Sequence, residues 1–310
     1  LYNANRKGKA EGLQEYQDMS SPIDLRRLAK KYPKKRAFIT GAGSGLGLEF
    51  ASELARHGWR LGMSDIRPDR LETAAEKIRS LGATVNEYAF DVTDYKAFEN
   101  AVNDFVEVAG GVDLAINNAG VGCGAAFEEL PLEVFRKTVE VNLMGVVHGC
   151  YLFVPVMKKQ RSGHILNVAS AAAFASGPRM SAYNVAKAGV VALSETLKAE
   201  LYDHRVNISI LMPTFIRTNL GVDCLGTPDS QELARSAVET SPVTADEAVK
   251  EVLLGVQENN LYIVLPASAR TMWRIKRFLP ENFWYLTHFE LKRQQFVQNR
   301  KQTKLTANSG

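Results

Sequence analysis

The chain has 310 residues, 45% of them apolar, and a formal net charge of +4, which suits one large α/β domain or two small ones. No apolar run approaches the roughly eighteen residues needed to cross a bilayer, and no secretory signal pattern is read near the N-terminus. Three cysteines (Cys123, Cys150 and Cys224) and five scattered histidines show no metal-ligand spacing, so no metal is expected and the thiols read as free.

Charge is unevenly spread. Residues 1–36 carry ten Lys/Arg against four Asp/Glu, and residues 267–310 carry nine against two, while the stretch between holds nineteen against twenty-eight. Basic ends on an acidic body suit an acidic partner, a membrane surface, or docking on another subunit. An acidic body with no recognisable binding module argues against nucleic acid.

Residues 1–20 are polar. Ser21, Pro22 and Asp24 make a helix-start signal, and that helix is predicted to end near Tyr32, before Pro33. Lys35–Thr40 reads as a short buried strand, followed by the turn Gly41-Ala-Gly-Ser-Gly-Leu-Gly47. Helix-spaced apolar residues then run from Leu48 to His57. Strand, glycine turn and helix together hold a pyrophosphate against a helix N-terminus. The spacing is T-G-x-x-x-G-x-G, because Leu46 stands where the last glycine of G-x-G-x-x-G would fall.

A second strand is predicted over Arg60–Asp65, then a helix over Arg67–Leu81 burying Leu71, Ala74, Ala75 and Ile78. A third strand, Ala83–Phe90, precedes Asp91, and a helix over Tyr95–Val108 leads to a fourth strand, Val112–Ile116. That strand ends in Asn117-Asn-Ala-Gly120. Leu132–Lys159 reads as a long helix, interrupted near Pro155. Gly163–Ala169 is a buried fifth strand ending at Ser170, and a helix from Ser181 to Asp203 follows. Sixth and seventh strands fall at Val206–Leu211 and Leu261–Leu265. Alternating strands and helices imply parallel pairing and right-handed crossovers. The predicted fold is α/β, a doubly wound, parallel, Rossmann-like sheet of about seven strands. It is read as a single domain with helical extensions at both ends and a site at the strands' carboxyl ends.

Tyr183 and Lys187 carry the sharpest chemical signal. Four residues apart, they share one helix face. A lysine ammonium there favours the tyrosinate and lowers the phenol from its usual pKa of about 10. A phenol so tuned exchanges protons near neutral pH. Singly, a helical Tyr, a helical Lys, a strand-end Ser170 and Asn142 all read as structural residues. Behind a glycine loop, and with the loop after Ser170 folded back, they read as a proton-transfer site for an alcohol or a carbonyl.

Taken together, these residues resemble the short-chain dehydrogenase/reductase family in its compact single-domain branch. Thr40–Gly47 match its cofactor loop, Asn117–Gly120 its N-N-A-G motif, and Asn142, Ser170, Tyr183 and Lys187 its catalytic tetrad, over roughly residues 35 to 266. The resemblance implies an NAD(P)-dependent dehydrogenase body at 35–266, between a basic extension at 1–34 and a basic aromatic one at 267–310. It implies dinucleotide contacts from Gly41, Ser44, Gly45, Leu46 and Gly47, from Asp91 and Val92 at the adenine, and from Asn118, Ala119 and Gly120 beside the ribose. Tyr183, Lys187, Pro213, Ile216 and Thr218 complete that set at the nicotinamide end, with Thr214 in place of a usual glycine. Threonine adopts positive φ only at a cost, so the local turn is expected to differ. By the same resemblance Tyr183 is general acid/base, Ser170 polarises the substrate oxygen, Lys187 binds the nicotinamide ribose, and Asn142 holds a water linking Lys187 to solvent. A homo-dimer or homo-tetramer through the helices near 95–108 and 132–159 is implied likewise.

Asp65 ends the second strand eighteen residues beyond Gly47, where a carboxylate accepts from ribose hydroxyls and repels a 2′-phosphate. NADP-preferring members of the family that the chain resembles often carry a basic residue at one of the positions of Ser44 and Ile66; neither does here, so the resemblance implies NAD over NADP, with Arg67 softening the discrimination. The substrate loops are placed at Val121–Phe127, Ala171–Met180 and Thr214–Ser241. They offer Val121, Phe174, Met180, Phe215, Leu220, Val222 and Leu225, with Arg179 and Arg217 as the charged exceptions. An apolar lining implies a hydrophobic secondary alcohol or ketone. In the tail, Trp273, Phe278, Phe283, Trp284 and Phe289 are interleaved with Arg and Lys, which suits either an anionic bilayer surface or a neighbouring subunit. The protein is expected in the cytoplasm, with membrane association through this tail left open. The rival readings are an NADP-dependent carbonyl reductase and a non-catalytic dinucleotide-binding scaffold.

Overall fold

The computed structural model describes residues 23–217 and 224–285, with 288, 289 and 292. The predicted Ser21 and Pro22 helix start lies outside them. A short helix, α1, spans Arg26–Lys31; then come β1 (Arg36–Thr40), α2 (Gly45–Arg56), β2 (Arg60–Asp65), α3 (Pro68–Ser80) and β3 (Val85–Ala89). The second half-turn of the fold begins with α4 (Tyr95–Ala109), β4 (Leu114–Asn117) and a short β5 (Gly122–Gly124). Next are α5 (Leu132–Val139), α6 (Gly145–Gln160), β6 (Gly163–Val168), α7 (Ala172–Ala175), α8 (Ser181–Glu200) and β7 (Val206–Pro213). The chain continues through β8 (Cys224–Gly226), α9 (Pro228–Glu239), α10 (Ala245–Gln257), β9 (Tyr262–Leu265) and α11 (Ala267–Phe278).

Seven strands form one parallel sheet in the order β3-β2-β1-β4-β6-β7-β9. The order reverses between β1 and β4, and that switch point opens a crevice at the carboxyl ends. Alternate side chains point to opposite faces. On β1, Ala37 and Ile39 join one core with Phe50, Leu54, Leu71 and Val252 of α2, α3 and α10. Phe38 joins the other, with Phe98, Phe105 and Phe153 of α4 and α6. Gly62 on β2 leaves room for this: a Cβ there would lie 2.6 Å from the Phe38 ring. Leu25, Leu28 and Tyr32 around α1 belong to the first core, and the Tyr32 hydroxyl donates to the Gly163 carbonyl at 3.1 Å.

Helix positions depart from the expectation in three places. The long helix from Leu132 to Gln160 is not interrupted at Pro155, which sits inside α6. Its irregularity is a π-helical turn at Glu140–Met144, which carries Asn142. The same 29 residues are long and apolar enough to cross a membrane by length and composition, which corrects the expectation that no stretch is. Asn142 and His148 break the apolar run without lowering its mean hydropathy enough. In the fold Val146, Cys150, Phe153 and Met157 of this helix are buried in the second core. Finally, the region read as a loop from Thr214 to Ser241 contains β8 and α9, and β8 pairs in parallel with β5 as a separate two-stranded sheet.

Candidate active site

The crevice is built from β1 and β4 outward. Gly41 (φ 64°) and Gly45 (φ 56°) hold left-handed backbone that other residues adopt only at a cost, so the chain turns sharply from β1 into α2. Asn118 clamps this turn from the end of β4: its Nδ2 donates to the Thr40 carbonyl at 2.9 Å and to the Gly41 carbonyl at 3.1 Å. In return the Thr40 hydroxyl accepts the N–H groups of Asn118 and Ala119, each at 3.0 Å. The loop is packed to backbone contact, for a Cβ on Gly47 would lie 2.0 Å from the Gly41 oxygen. Ser44 is the extended residue before α2, and Leu46 packs partly on the first core. The first N–H groups of a helix have no partner within it, so the N-terminus of α2 presents donors to the crevice.

Asp65 ends β2 beside this loop. Its carboxylate accepts the Gly43 N–H and the Arg67 N–H, both at 3.0 Å. The Arg67 guanidinium turns away to Asp69, at 3.0 and 3.2 Å. Arg70, which sequence reading missed, has its side-chain stem against Gly43 and with Lys77 lines a depression beside the loop. Asp91 follows β3 and caps its own turn by accepting the Thr93 N–H at 2.9 Å. Val92 is buried against Gly145, and its carbonyl meets His148 Nδ1 at 2.9 Å.

The tetrad residues come from four elements. α8 sets Tyr183 and Lys187 on its buried face, with the Lys187 Nζ 5.6 Å from the centre of the Tyr183 ring. That Nζ donates to the Val168 carbonyl at 2.9 Å. Ser170 lies just past β6; its hydroxyl accepts the Ala172 N–H at 3.1 Å, donates to the Pro213 carbonyl at 3.4 Å, and interacts with the Tyr183 phenol. Asn142 is wholly buried in the π-helical turn. Its Nδ2 donates to the carbonyls of Val121 (2.9 Å) and Thr138 (3.0 Å), and its Oδ1 accepts the Val121 N–H at 3.2 Å. Gly120 is the hinge between them: a Cβ there would meet Asn142 Oδ1 at 2.6 Å and Lys187 Nζ at 3.5 Å. The structure therefore gathers Asn142, Ser170, Tyr183 and Lys187 at one place.

Their protonation differs from the expectation. Burial pushes the Tyr183 phenol up to about 12; Ser170 opposes this and the Cys224 thiol adds to it. Burial also pulls Lys187 down to about 8. The reading that Lys187 lowers the Tyr183 pKa is thus corrected for the protein by itself. Both groups are charged only at a desolvation cost, and the ammonium is directed at the Val168 carbonyl rather than at the phenol.

Pro213 closes β7 and touches Ser170 through its carbonyl. Thr214 keeps out of positive φ and donates its N–H to the Leu265 carbonyl at 2.9 Å. Ile216 is buried in the first core, and Thr218, Leu220 and Val222 lie outside the described residues. Above Tyr183 stands an apolar wall of Cys123, Phe135, Ala172, Met180 and Leu225. Sequence reading found Met180 and Leu225. It missed Cys123, which is placed by β5 pairing with β8, and Phe135, which comes from α5 where that helix packs on α8. Phe174 is a correction: it packs into the second core, because α7 turns it inward. Of the charged exceptions, Arg179 pairs with Glu129 at 3.1 Å, and Arg217 donates to the Ser241 carbonyl at 2.8 Å. No cluster of His, Cys, Asp and Glu suited to a metal occurs among the described residues.

A dinucleotide fits these residues. The glycine turn is tight enough to bring backbone N–H groups to a pyrophosphate, and the Asp65 carboxylate stands at the strand end beside it. Residues 35–225 match the family described as short chain dehydrogenase. The chain is 30% identical over 261 residues to 1-deoxy-11-beta-hydroxypentalenate dehydrogenase of Streptomyces avermitilis, covering 80% of this chain and 93% of that one. A short-chain dehydrogenase/reductase from Burkholderia phymatum, solved in complex with NAD, superposes with a TM-score of 0.75 at 30% identity over 78% of this chain and 92% of that one. An alcohol dehydrogenase from the archaeon Thermococcus sibiricus, complexed with 5-hydroxy-NADP, gives a TM-score of 0.65 at 29% identity, covering 74% and 95%. One of these neighbours thus holds NAD and the other 5-hydroxy-NADP.

Proposed function

From a chain that belongs to the short-chain dehydrogenase family, and is an oxidoreductase of that family, we propose a specific reaction. It moves a hydride between NAD(H) and a hydrophobic secondary alcohol or ketone, with Tyr183 exchanging the proton. The observation that carries this reading is a single phenol buried under an apolar wall, with Ser170 beside it and Lys187 one turn below. When bound, the nicotinamide supplies the hydride chemistry. The chain's own residues handle the oxygen. Tyr183 holds the proton that the substrate oxygen receives in reduction or gives up in oxidation. Ser170, turning its hydroxyl proton away from the Pro213 carbonyl, donates a second hydrogen bond to that oxygen. Lys187, one turn from the phenol, would hold the nicotinamide ribose, and Asn142 fixes Val121 beside Gly120 by bonding its N–H and carbonyl. The apolar wall excludes water and selects a hydrophobic substrate.

NAD is favoured over NADP because a 2′-phosphate would stand against the Asp65 carboxylate. Arg70 and Lys77 beside Gly43 are the observation that would favour NADP. The reading includes a homo-dimer or homo-tetramer through α4 and α6, on which Val108 and Tyr151 are exposed.

The test is Tyr183→Phe against the unchanged protein on a panel of hydrophobic secondary alcohols and ketones, followed by NADH absorbance. Loss of a positioned proton donor should lower turnover by roughly a hundredfold or more. Equal turnover would sink the mechanism.

A further inference from the structure

We propose that α11 and the aromatic segment after it form a docking surface for an anionic lipid bilayer. The helix begins directly after β9, at the carboxyl-end edge of the sheet, and packs on α7, the short helix that follows Ser170. Its inner face is occupied. Ala269 is buried, Trp273 packs on Tyr262 with ring centres 5.1 Å apart, and Lys276 lies 5.1 Å from the Phe283 ring centre.

The outer face is a different surface. Met272, Ile275, Phe278 and Leu279 are all exposed, Phe278 to 83%. Their spacings of three and four residues align them as one stripe along the helix. Trp284, Tyr285 and Phe289 extend the exposed aromatic surface beyond it. Arg274 lies beside the stripe, Arg277 is held over the Trp273 ring at 4.8 Å, Arg270 pairs with Glu251 at 2.6 Å, and residues 267–310 carry nine Lys/Arg against two Asp/Glu. An apolar stripe on a basic segment is what an interfacial helix needs. Its apolar side chains enter the headgroup boundary while the cations meet anionic lipid, and Trp and Tyr rings suit that boundary.

A second copy of the chain is the rival occupant. Its acidic body would answer the charge but not the stripe, and stripe packed on stripe about a two-fold axis would bring two basic segments together. Among the described residues the other exposed large apolar side chains, such as Ile66, Phe127, Val185, Tyr202 and Leu233, come one to an element and form no matching row. A bilayer answers both features at once.

The experiment is flotation of the full chain with phosphatidylcholine vesicles, with and without phosphatidylserine, at low and high salt. Binding is read without turnover, so its outcome is separate from that of the proposed reaction. We expect binding that requires phosphatidylserine and weakens with salt. Arg274→Glu should weaken it roughly fivefold per unit of charge changed. Phe278→Asp should weaken it at least tenfold, while Tyr202→Ser, an exposed ring on another element, should leave it unchanged. Failure of the unchanged protein to float with anionic vesicles would overturn the proposal, as would wild-type binding by both Arg274→Glu and Phe278→Asp. A smaller species in light scattering for Phe278→Asp, with no flotation of the parent, would overturn it in favour of a subunit contact.

Discussion

Replacing Gly47 by alanine tests the cofactor loop more directly than replacing any polar residue in it. Gly47 keeps an ordinary φ, so the substitution acts by volume alone. The new Cβ would start 2.0 Å from the Gly41 oxygen and 2.7 Å from the Asn118 Nδ2, whereas ordinary contact begins at 3.4 Å. The turn must therefore open by roughly 1.4 Å at the oxygen. That displacement breaks or stretches the two bonds through which Asn118 holds the Thr40 and Gly41 carbonyls. Overpacking and weakened hydrogen bonds together should cost about 3 kcal/mol. For a chain of this size that is a fall in Tm of roughly 6–12 °C. The same opening moves the N–H groups at the start of α2, so NAD affinity, followed by protein fluorescence, should fall at least tenfold. Gly177→Ala is the control, since a Cβ there meets nothing within 4 Å. A Gly47→Ala protein that melts with the parent and binds NAD equally well would refute the close-packed turn as the cofactor cradle.

Two further outcomes follow from buried charge and its absence. Asp65→Asn keeps the side chain's size and one of the two acceptors that hold the Gly43 and Arg67 N–H groups but removes the charge, so the ratio of NADP to NAD affinity should rise at least tenfold by titration; an unchanged ratio would move the discrimination to Arg70 and Lys77. His164 is buried, and burial holds its pKa well below 6.5, with Lys31 and Lys198 adding to the effect. Its Nε2 meets the Ser209 hydroxyl at 2.8 Å, and that hydroxyl donates onward to the Asn260 carbonyl at 2.7 Å. Nε2 therefore bears the proton, and Nδ1 has no partner for a second. The unfolded imidazole takes up a proton below 6.5 and the folded one does not, so stability is kept above 6.5 and lost as pH falls below it. The slope is at most about 1.4 kcal/mol per pH unit. Urea unfolding at stepped pH should show a shallower acid loss for His164→Gln than for the parent; equal slopes would refute the assignment.

The sheet was legible because each strand is a short apolar run bounded by a turn signal, and Gly41–Gly47 marks the first crossover. The chemistry was legible at i, i+4 spacing, since Tyr183 and Lys187 depend only on α8. What escaped reading depends on contacts distant in sequence. The sequence pattern puts Phe174 in a substrate loop, but α7 turns it into the core. Cys123 joins the wall over Tyr183 only because Gly122 pairs with Cys224 a hundred residues on. Asn142 sits in a π-helical turn for which the sequence carries no cue, and Pro155, the cue it does carry, breaks nothing.

The proton inventory of the site has a consequence for direction. One burial moves two neighbours oppositely: Tyr183 up to about 12 and Lys187 down to about 8. At neutral pH the phenol of the protein alone is fully protonated, and most of Lys187 remains ammonium because pH 7 lies a unit below its pKa. A protonated phenol is ready to donate, which is the state that carbonyl reduction requires. In the proposed reaction, alcohol oxidation starts from the opposite state, the phenol without its proton, which burial disfavours. Lys187 makes its hydrogen bond to the Val168 carbonyl, not to the phenol. Additional positive charge must enter beside Tyr183, or Lys187 must leave Val168 for the phenol. Either change depends on what fills the crevice first, so oxidation should follow an ordered sequence in which the dinucleotide precedes the alcohol.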